Sequence, residues 1–225
     1  MRNSCTTCNL MSSAVKSLNS KELEELGNNC VEIEFNKGDI IFKQGALSSN
    51  IVYLKSGLAK IHIKGPYKEQ IISITKATSY LGIPSTFNDK IDEYSATALE
   101  KTKVCFIDAR VFKDFINRKG GFAYEIIIEM CKNKINAYKK CVNRAQKQVH
   151  GRIADSLLYF YKEIYNNKKF TLPLTRHEFA GLVDTSRESV CRILSQFNTD
   201  GIIKLNGNKI TIVNEELLEK ISKSG

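Results

Sequence analysis

Residues 174–198 read LTRHEFAGLVDTSRESVCRILSQFN, which predicts two short helices joined by a tight turn. Thr175 followed by Glu178 is a capping-box pattern, which satisfies the free backbone N–H groups at a helix start. Thr185 and Glu188 repeat this spacing and predict the start of the second helix. Each helix then carries apolar residues three and four positions apart, so each is expected to bury one face. The stretch therefore predicts a helix-turn-helix.

The other face of the second helix is charged. Arg187, Glu188 and Arg192 all fall within its first two turns. Arginine can donate two hydrogen bonds to guanine, and glutamate can accept one from cytosine, so the pattern is typical of a helix that reads the major groove of DNA. The alternative is a solvated helix face with an ordinary ion pair between Glu188 and Arg192.

Two runs with alternating apolar residues follow the second helix, at residues 202–205 and 209–213. They flank the sequence Asn-Gly-Asn at 206–208, which predicts a β-hairpin because Asn and Gly tolerate positive φ angles. A hairpin after a helix-turn-helix indicates a winged-helix domain. Lys204 and Lys209 could contact DNA phosphates there, or could serve solubility alone.

Two motifs resemble the Crp/Fnr family of bacterial transcription regulators. Residues 186–194, SRESVCRIL, are similar to the family's recognition helix, SRETVGRIL, and residues 149–158, VHGRIADSLL, resemble its VxGRIAxxLL motif. The resemblance implies half-sites similar to TGTGA. Asp184 and Cys191 replace a glycine and a small residue of the family pattern, but Asp enters the left-handed region at little cost. The expected DNA contacts are Arg187, Glu188, Arg192, Ser189, Thr175 and Lys209.

Composition is consistent with a nucleic-acid partner. The chain has 225 residues, 42% of them hydrophobic, a net charge of +10 and a pI near 9.2, which suits two domains and a polyanionic ligand. A membrane span and a signal peptide are not expected, so a cytoplasmic protein without a membrane partner is predicted. Seven cysteines, an odd number, favour reduced thiols or a metal or redox site over a disulfide framework.

Residues 30–107 change to short, β-branched runs separated by turn signals, which predicts an antiparallel barrel or sandwich. Within the run 58–64, His62 alternates with Ala and Ile residues and is expected to point to solvent. Residues 37–45, KGDIIFKQG, are similar to the opening of the family's cyclic-nucleotide-binding barrel.

The predicted class is α+β, with a jelly-roll-type antiparallel β-barrel, a long dimerisation helix and a C-terminal winged helix-turn-helix. The predicted divisions are an N-terminal cysteine-containing segment at 1–17, the sensory barrel at 18–118, the dimerisation helix at 119–147 and the DNA-binding domain at 148–225.

The resemblance also defines a candidate effector pocket. Family members that bind a cyclic nucleotide carry a Glu after a glycine and an Arg before Ser-Ala, but here Gly82 is followed by Ile83, and Tyr94 precedes Ser95. Tyr138 occupies a position in the long helix that is expected to touch the base. Without a guanidinium the cyclic phosphate would be buried unpaired, so tight binding of cyclic AMP is not expected.

Three cysteines resemble ligands of the iron–sulfur cluster in the oxygen-sensing Fnr branch: Cys105 on a late strand, and Cys5 and Cys8 near the N-terminus. No cysteine lies between Cys8 and Cys30, where a third N-terminal ligand is expected, and Cys30 starts a strand and can be a core residue. Three alternatives stay open: a cluster with a non-cysteine or displaced fourth ligand, a thiol switch, or no cofactor.

A long helix is predicted at residues 121–147, with one apolar face. It can pair with its twin in a parallel dimer or pack on its own barrel; the resemblance favours the dimer, whose reading helices would lie about 34–36 Å apart on a palindromic site. We therefore expect a homodimeric DNA-binding regulator that also contacts RNA polymerase and is not an enzyme. The alternatives are a dithiol redox enzyme using Cys5 and Cys8, and a scaffold or small-molecule-binding protein.

Overall fold

The structure, a computed structural model, describes residue 5, residues 8–88 and residues 90–225, except for the side chain of residue 224. It divides into two compact units, Met1–Lys134 and Ile135–Gly225. The predicted N-terminal segment at 1–17 is covered in part, because residues 1–4, 6 and 7 lie outside the described residues. Within the part of the chain that the structure describes, no helix is long and apolar enough to cross a membrane.

The strands of the first unit form two four-stranded antiparallel sheets, with the orders β1-β8-β3-β6 and β2-β7-β4-β5. This double-sheet order is that of a jelly roll, so the predicted fold of the N-terminal domain is confirmed. The strands are β1 (Cys30–Phe35), β2 (Ile40–Phe42), β3 (Asn50–Ser56), β4 (Leu58–Lys64), β5 (Glu69–Lys76), β6 (Ser79–Leu81), β7 (Ser95–Ala98) and β8 (Thr102–Asp108).

Among the described residues, five α-helices accompany these sheets: α1 (Ser13–Lys16), α2 (Ser20–Asn28), α3 (Ile83–Phe87), α4 (Ala109–Arg118) and the part of α5 (Gly120–Gln146) that precedes Ile135. They give the unit a second core on the outer face of one sheet. Val52 and Leu54 of β3 pack in the core between the sheets, whereas Ile51 and Tyr53 pack with the helices. Strand β3 is therefore apolar without alternation because both of its faces are buried.

His62 does not point to solvent, so that expectation is wrong. The side chain is 8% exposed; its Nε2 lies 2.8 Å from Thr97 Oγ1 and its Nδ1 lies 3.0 Å from Glu69 Oε2. The pairing of β4 with β5 shifts register between Ile61 and His62. Such a β-bulge interrupts the alternation of side chains, and here two consecutive residues are buried.

The second unit contains the predicted helix-turn-helix and hairpin. Its helices are α6 (Val149–Tyr159), α7 (Arg176–Val183), α8 (Arg187–Thr199) and α9 (Glu215–Ser224), with a π-helical turn at Phe160–Tyr165. Its strands are β9 (Lys169–Thr171), β10 (Ile203–Asn206) and β11 (Lys209–Ile212), in the order β10-β11-β9. Strand β9 joins the hairpin because Phe170, paired with Ile210, is buried in the core.

Candidate functional site

The capping box predicted at the start of α7 is present. Thr175 Oγ1 accepts a hydrogen bond from the Glu178 backbone N–H at 3.2 Å, and Glu178 Oε2 accepts one from the Thr175 backbone N–H at 2.8 Å. The Thr175 hydroxyl also donates to Glu178 Oε2 at 2.9 Å. Thr175 is exposed, but its hydroxyl is already engaged in holding the helix start.

The turn between α7 and α8 is made by Asp184, whose φ of 54° and ψ of 61° lie in the left-handed region, as expected. Arg152 of α6 satisfies the carbonyls that the end of α7 leaves free: its Nε donates to Val183 O at 2.8 Å and its Nη2 to Asp184 O at 3.0 Å. Sequence reasoning missed this role of Arg152. The motif around it located a helix, but nothing in the motif says which carbonyls a guanidinium will meet.

Helix α8 begins one residue later than predicted, because Ser186 and not Thr185 is its N-cap. Ser186 Oγ accepts a hydrogen bond from the Ser189 backbone N–H at 3.2 Å. The Thr185 N–H still donates to Ala180 O at 3.0 Å, so Thr185 belongs to the end of α7 and the turn. The predicted cap formed by Thr185 with Glu188 is therefore wrong.

The two faces of α8 differ sharply in burial. Its apolar residues form part of the domain core: Val190, Ile193, Leu194 and Phe197. Arg187, Glu188 and Arg192 are exposed, and Ser189 is half-buried. Burying the apolar face fixes the rotation of the helix, so the two guanidinium groups and the carboxylate stand on its free face.

Glu188 is held in its charged form. Its own backbone N–H is the main cause and the Ser186 hydroxyl the second, and together they keep the pKa of Glu188 below its usual range. The backbone N–H groups at a helix start also favour a negative charge there. Glu188 thus remains a hydrogen-bond acceptor near neutral pH.

The wing is the hairpin of β10 and β11, in which Asn206 pairs with Lys209 and Gly207 takes a positive φ of 56°. Lys204 and Lys209 are both exposed on it. Arg176, the first residue of α7, donates from Nη2 to Gly207 O at 2.6 Å and so links the helix-turn-helix to the wing turn.

Arg176 is a second residue that sequence reasoning missed. Its Nη1 is buried and has no hydrogen-bond partner among the described residues, and burial lowers the pKa of its guanidinium. A buried donor without a partner carries a desolvation cost, which an incoming acceptor such as a phosphate oxygen would relieve. Its position directly after the capping Thr175 is the signal that could have pointed to it.

The structure brings together four residues of the candidate effector pocket. Gly82, with a positive φ of 84°, lies between β6 and α3 and donates its backbone N–H to the Tyr94 hydroxyl at 2.7 Å. Ile83 and Ser95 follow these two residues and are buried. Burial raises the pKa of Tyr94, so its hydroxyl is neutral. Tyr138 is exposed and belongs to the second unit.

Cysteine side chains meet on one face of the sheet that contains β1, β8 and β3. Cys105 of β8 is paired with Glu32 of β1 and with Tyr53 of β3. The Cys30 thiol is within hydrogen-bonding reach of both Cys105 and Cys5. This contact places Cys30, which the sequence left as a possible core residue, between two of the three predicted ligands.

The contacts polarise these thiols. The hydrogen bond with Cys30 is the main cause that lowers the pKa of Cys5 to about 7, and Lys55 contributes through its charge. The hydrogen bond with Cys30 likewise lowers the pKa of Cys105. The pKa of Cys30 is raised, first by Cys105 and then by Cys5, so Cys30 keeps its proton between them.

Hydrogen bonds connect the segment after Cys8 to α5. Tyr53 Oη donates to Leu10 O at 2.9 Å, and the hydroxyls of Ser12 and Tyr80 lie 2.8 Å apart. The Tyr80 backbone N–H donates to Glu129 Oε1 of α5 at 2.9 Å. Hydrogen bonds therefore connect Leu10 and Ser12 to strands β3 and β6, and connect β6 to the long helix.

The donor set fits a cluster in number and type, since Cys5, Cys8, Cys30 and Cys105 supply the four thiols that an iron–sulfur cluster commonly requires. They do not form a closed site for a single ion. Among the described residues, no three His, Cys, Asp or Glu side chains surround a point where one metal ion could be held.

Comparisons with known proteins agree with both units. Residues 32–119 match the cyclic nucleotide-binding domain family, and residues 151–221 match the Crp-like helix-turn-helix domain family.

Relatives of established function match most of the chain. The fumarate and nitrate reduction regulatory protein of Vibrio cholerae is 25% identical over 226 residues, which cover 96% of this chain and 89% of that protein. The CRP-like cAMP-activated global transcriptional regulator of Mycobacterium tuberculosis is 23% identical over 193 residues, covering 84% and 86%.

Solved structures share the fold. FixK2 from Bradyrhizobium japonicum superposes with a TM-score of 0.78 at 17% identity, covering 87% of this chain and 98% of that one. A CRP/FNR-family transcriptional regulator from Thermus thermophilus gives a TM-score of 0.73 at 18% identity, covering 86% and 99%.

Proposed function

Because this chain belongs to the Crp/Fnr family of DNA-binding transcriptional regulators, we propose that it acts as a homodimer on a palindromic site with half-sites similar to TGTGA. One observation carries the proposal: Arg187, Glu188 and Arg192 stand exposed together on the first two turns of α8.

These three side chains suit direct readout of bases. Each arginine can donate two hydrogen bonds to guanine, and the ionised Glu188 can accept from cytosine. A good bidentate contact discriminates against a wrong base by about 1–3 kcal/mol. Contacts from Ser189, Thr175 and Lys209 would position the helix on the phosphates without selecting bases.

The long helix supports the homodimer. Several large apolar side chains of α5 are exposed in the single chain: Ile127, Met130, Ile135, Tyr138 and Val142. A row of this kind at heptad-like spacing is buried when two such helices pair in parallel. We assign dimerisation to residues 119–147, sensing to residues 18–118 and DNA binding to residues 148–225, with RNA polymerase as a further partner.

The test is binding of the full chain to labelled duplexes at several salt concentrations. A duplex with two TGTGA-like half-sites one helical turn apart should bind more tightly than one with about five base pairs inserted between them, because the insertion turns one half-site away. Equal affinity for both, and for random DNA, would refute the proposal. The affinity should also fall with salt as phosphate contacts are screened.

We further propose that the effector is not cyclic AMP. Tyr94 offers a neutral hydroxyl where the family pattern has an arginine, and that hydroxyl already contacts the Gly82 amide. Asp92, close in sequence, is buried, and burial raises its pKa. A cyclic phosphate would gain no guanidinium partner at Tyr94. Calorimetry should detect no binding in the micromolar range, and a micromolar affinity would overturn this point.

The contacts among the thiols favour a second, compatible function, namely redox sensing through Cys5, Cys8 and Cys105. These residues would hold an iron–sulfur cluster together with one further ligand; when bound, the cluster supplies redox-sensitive chemistry. A displacement of the N-terminal segment would reach α5 through the hydrogen bonds of Tyr53 and Tyr80. Iron and sulfide analysis of protein purified without oxygen tests this function.

A further inference from the structure

Three cysteines are predicted to bind a cluster, namely Cys5, Cys8 and Cys105. A cluster held by four cysteines needs one more ligand. We propose that Cys30, the first residue of β1, is the fourth cysteine ligand of an iron–sulfur cluster held with Cys5, Cys8 and Cys105. The proposal rests on the redox-sensing function above and does not depend on DNA binding. The fourth ligand would then lie on a strand of the sheet, whereas the Fnr pattern has it in the N-terminal segment.

The register of the sheet places Cys30 and Cys105 on the same face. Cys30 pairs with Ile107, and Ile107 lies two residues from Cys105 on β8. Side chains two apart on a strand share a face, as do those of directly paired residues. The two sulfurs therefore approach each other diagonally across β1 and β8. Diagonal neighbours have Cα atoms about 7–8 Å apart, beyond the range of roughly 4.4–6.8 Å for a disulfide. These two thiols are therefore better placed to bind a shared cluster than to form a disulfide bond with each other.

The N-terminal segment reaches this face at Cys5. The backbone nitrogen of Cys5 passes so close to Gly27 of α2 that a Cβ on Gly27 would lie 3.2 Å from it. The Cys8 N–H donates to Cys5 O at 3.3 Å, so the two cysteines lie close together. Cys5 in turn contacts Cys30. The absence of a side chain at Gly27 thus allows Cys5 to approach the end of α2, close to Cys30.

A half-buried cation, Lys55, offsets part of the negative charge that such a site would carry. The Lys55 side chain is 18% exposed and forms an ion pair with Glu32, the residue paired with Cys105. Lys55 interacts electrostatically with Cys5, Cys8 and Cys105. Four thiolates around a cluster bring net negative charge, and a lysine held among them offsets part of it.

Binding a cluster would require these thiols to separate from their present contacts, because a cluster distributes its cysteines over two or more irons. The described thiols meet pairwise and do not surround one point. Cys131, Cys141 and Cys191 lie exposed on helices and are available as controls.

The test is anaerobic reconstitution of the full chain with ferrous iron and sulfide, followed by iron and sulfide analysis and visible absorption. Wild type should hold iron and sulfide in equal amounts and absorb visible light. Cys30→Ala should lose the cluster absorption to the same level as Cys105→Ala, whereas Cys131→Ala should match wild type. Circular dichroism of the iron-free variants, with Cys30→Ser as a second substitution, separates loss of a ligand from loss of fold.

Two outcomes would contradict the assignment of Cys30, and they differ in what they imply for the cluster. If folded Cys30→Ala keeps the iron content and absorption of wild type while Cys105→Ala loses them, Cys30 is not a ligand, although the sensing function stands. If wild type takes up no iron and mild oxidation joins Cys5 to Cys30, both the ligand assignment and the cluster are wrong. Neither outcome affects the DNA-binding proposal, which the duplex experiment tests separately.

Discussion

Among single residues, Arg192 and Lys209 have different roles in the proposed DNA complex: Arg192 would read a base and Lys209 would contact a phosphate. Both side chains are exposed, but Arg192 projects from the free face of α8 and Lys209 from the wing. Arg192→Ala should lower affinity for the specific duplex by about 1–3 kcal/mol and relax selection at one base pair. Lys209→Ala should weaken binding to all sequences alike and reduce the salt dependence. Titrations of both variants on specific and random duplexes measure the difference, and equal losses on both duplexes for Arg192→Ala would contradict base reading.

Asp184 is held in a backbone conformation that a β-branched residue tolerates poorly. Its φ is 54°, and a left-handed residue with a branched Cβ is strained. Asp184→Val should therefore unfold more easily than Asp184→Gly, by about 1–2 kcal/mol. Chemical denaturation of the two variants gives the comparison directly, since both remove the same carboxylate. Similar stabilities would mean that the turn can rearrange.

Glu215 makes the DNA-binding unit sensitive to acid. Lys168 is the main cause and Lys162 the second, and together they lower the pKa of Glu215 from 4.5 to about 2. A carboxylate whose pKa is lowered by folding stabilises the fold above its ordinary pKa, and this contribution is lost as the pH falls from 4.5 towards 2. Glu215→Gln should accordingly lose less stability than wild type over that interval. Thermal unfolding of both proteins at a series of pH values measures it, and parallel curves would exclude the ion pairs as the cause.

At the scale of the element, the start of α8 depends on one hydroxyl. Ser186 Oγ caps the helix, whereas Thr185 completes the preceding turn. Ser186→Ala should reduce the free energy of unfolding by about 0.5–2 kcal/mol, and Thr185→Ala should cost clearly less. The two substitutions remove neighbouring hydroxyls, so each is the control for the other in denaturant unfolding. A larger cost at Thr185 would restore the cap that the Thr185–Glu188 spacing predicts.

Two arginine side chains stabilise the position of α7. Arg152 ties the end of α7 to α6, and Arg176 ties its beginning to the wing turn. Each contact satisfies a carbonyl that the helix or the hairpin leaves free. Helix α7, which packs against α8, is thus held at both of its ends, and a rigid support of this kind reduces the ordering cost of binding.

At the scale of the whole molecule, the proposed pairing through α5 would decide whether two recognition helices act together. Ile135 and Val142 are large, apolar and exposed in the single chain. Ile135→Glu combined with Val142→Glu should convert the homodimer to a monomer, because charges at a paired apolar face are costly. Sedimentation gives the mass. The affinity for the specific duplex should fall when the dimer is lost, while the salt-dependent binding to random DNA should persist in part. A variant that remains dimeric would place the interface elsewhere.

Local patterns in the sequence determined the elements of this protein. Apolar spacing predicted α7, α8 and the wing, short β-branched runs predicted a barrel or sandwich, and the motif at 186–194 indicated the family. These features depend on neighbours a few residues away, where helix and strand periods are fixed. The exposed positions of Arg187, Glu188 and Arg192 follow from the same periodicity, once the opposite face is buried.

Only the tertiary structure decided which distant groups meet. The bulge that buries His62, the carbonyls that Arg152 satisfies and the contact of Cys30 with Cys5 and Cys105 all join residues far apart in the chain. Their pairing depends on strand register and on the path of the N-terminal segment. A one-residue change in register moves a side chain to the opposite face, and no local pattern records such a shift.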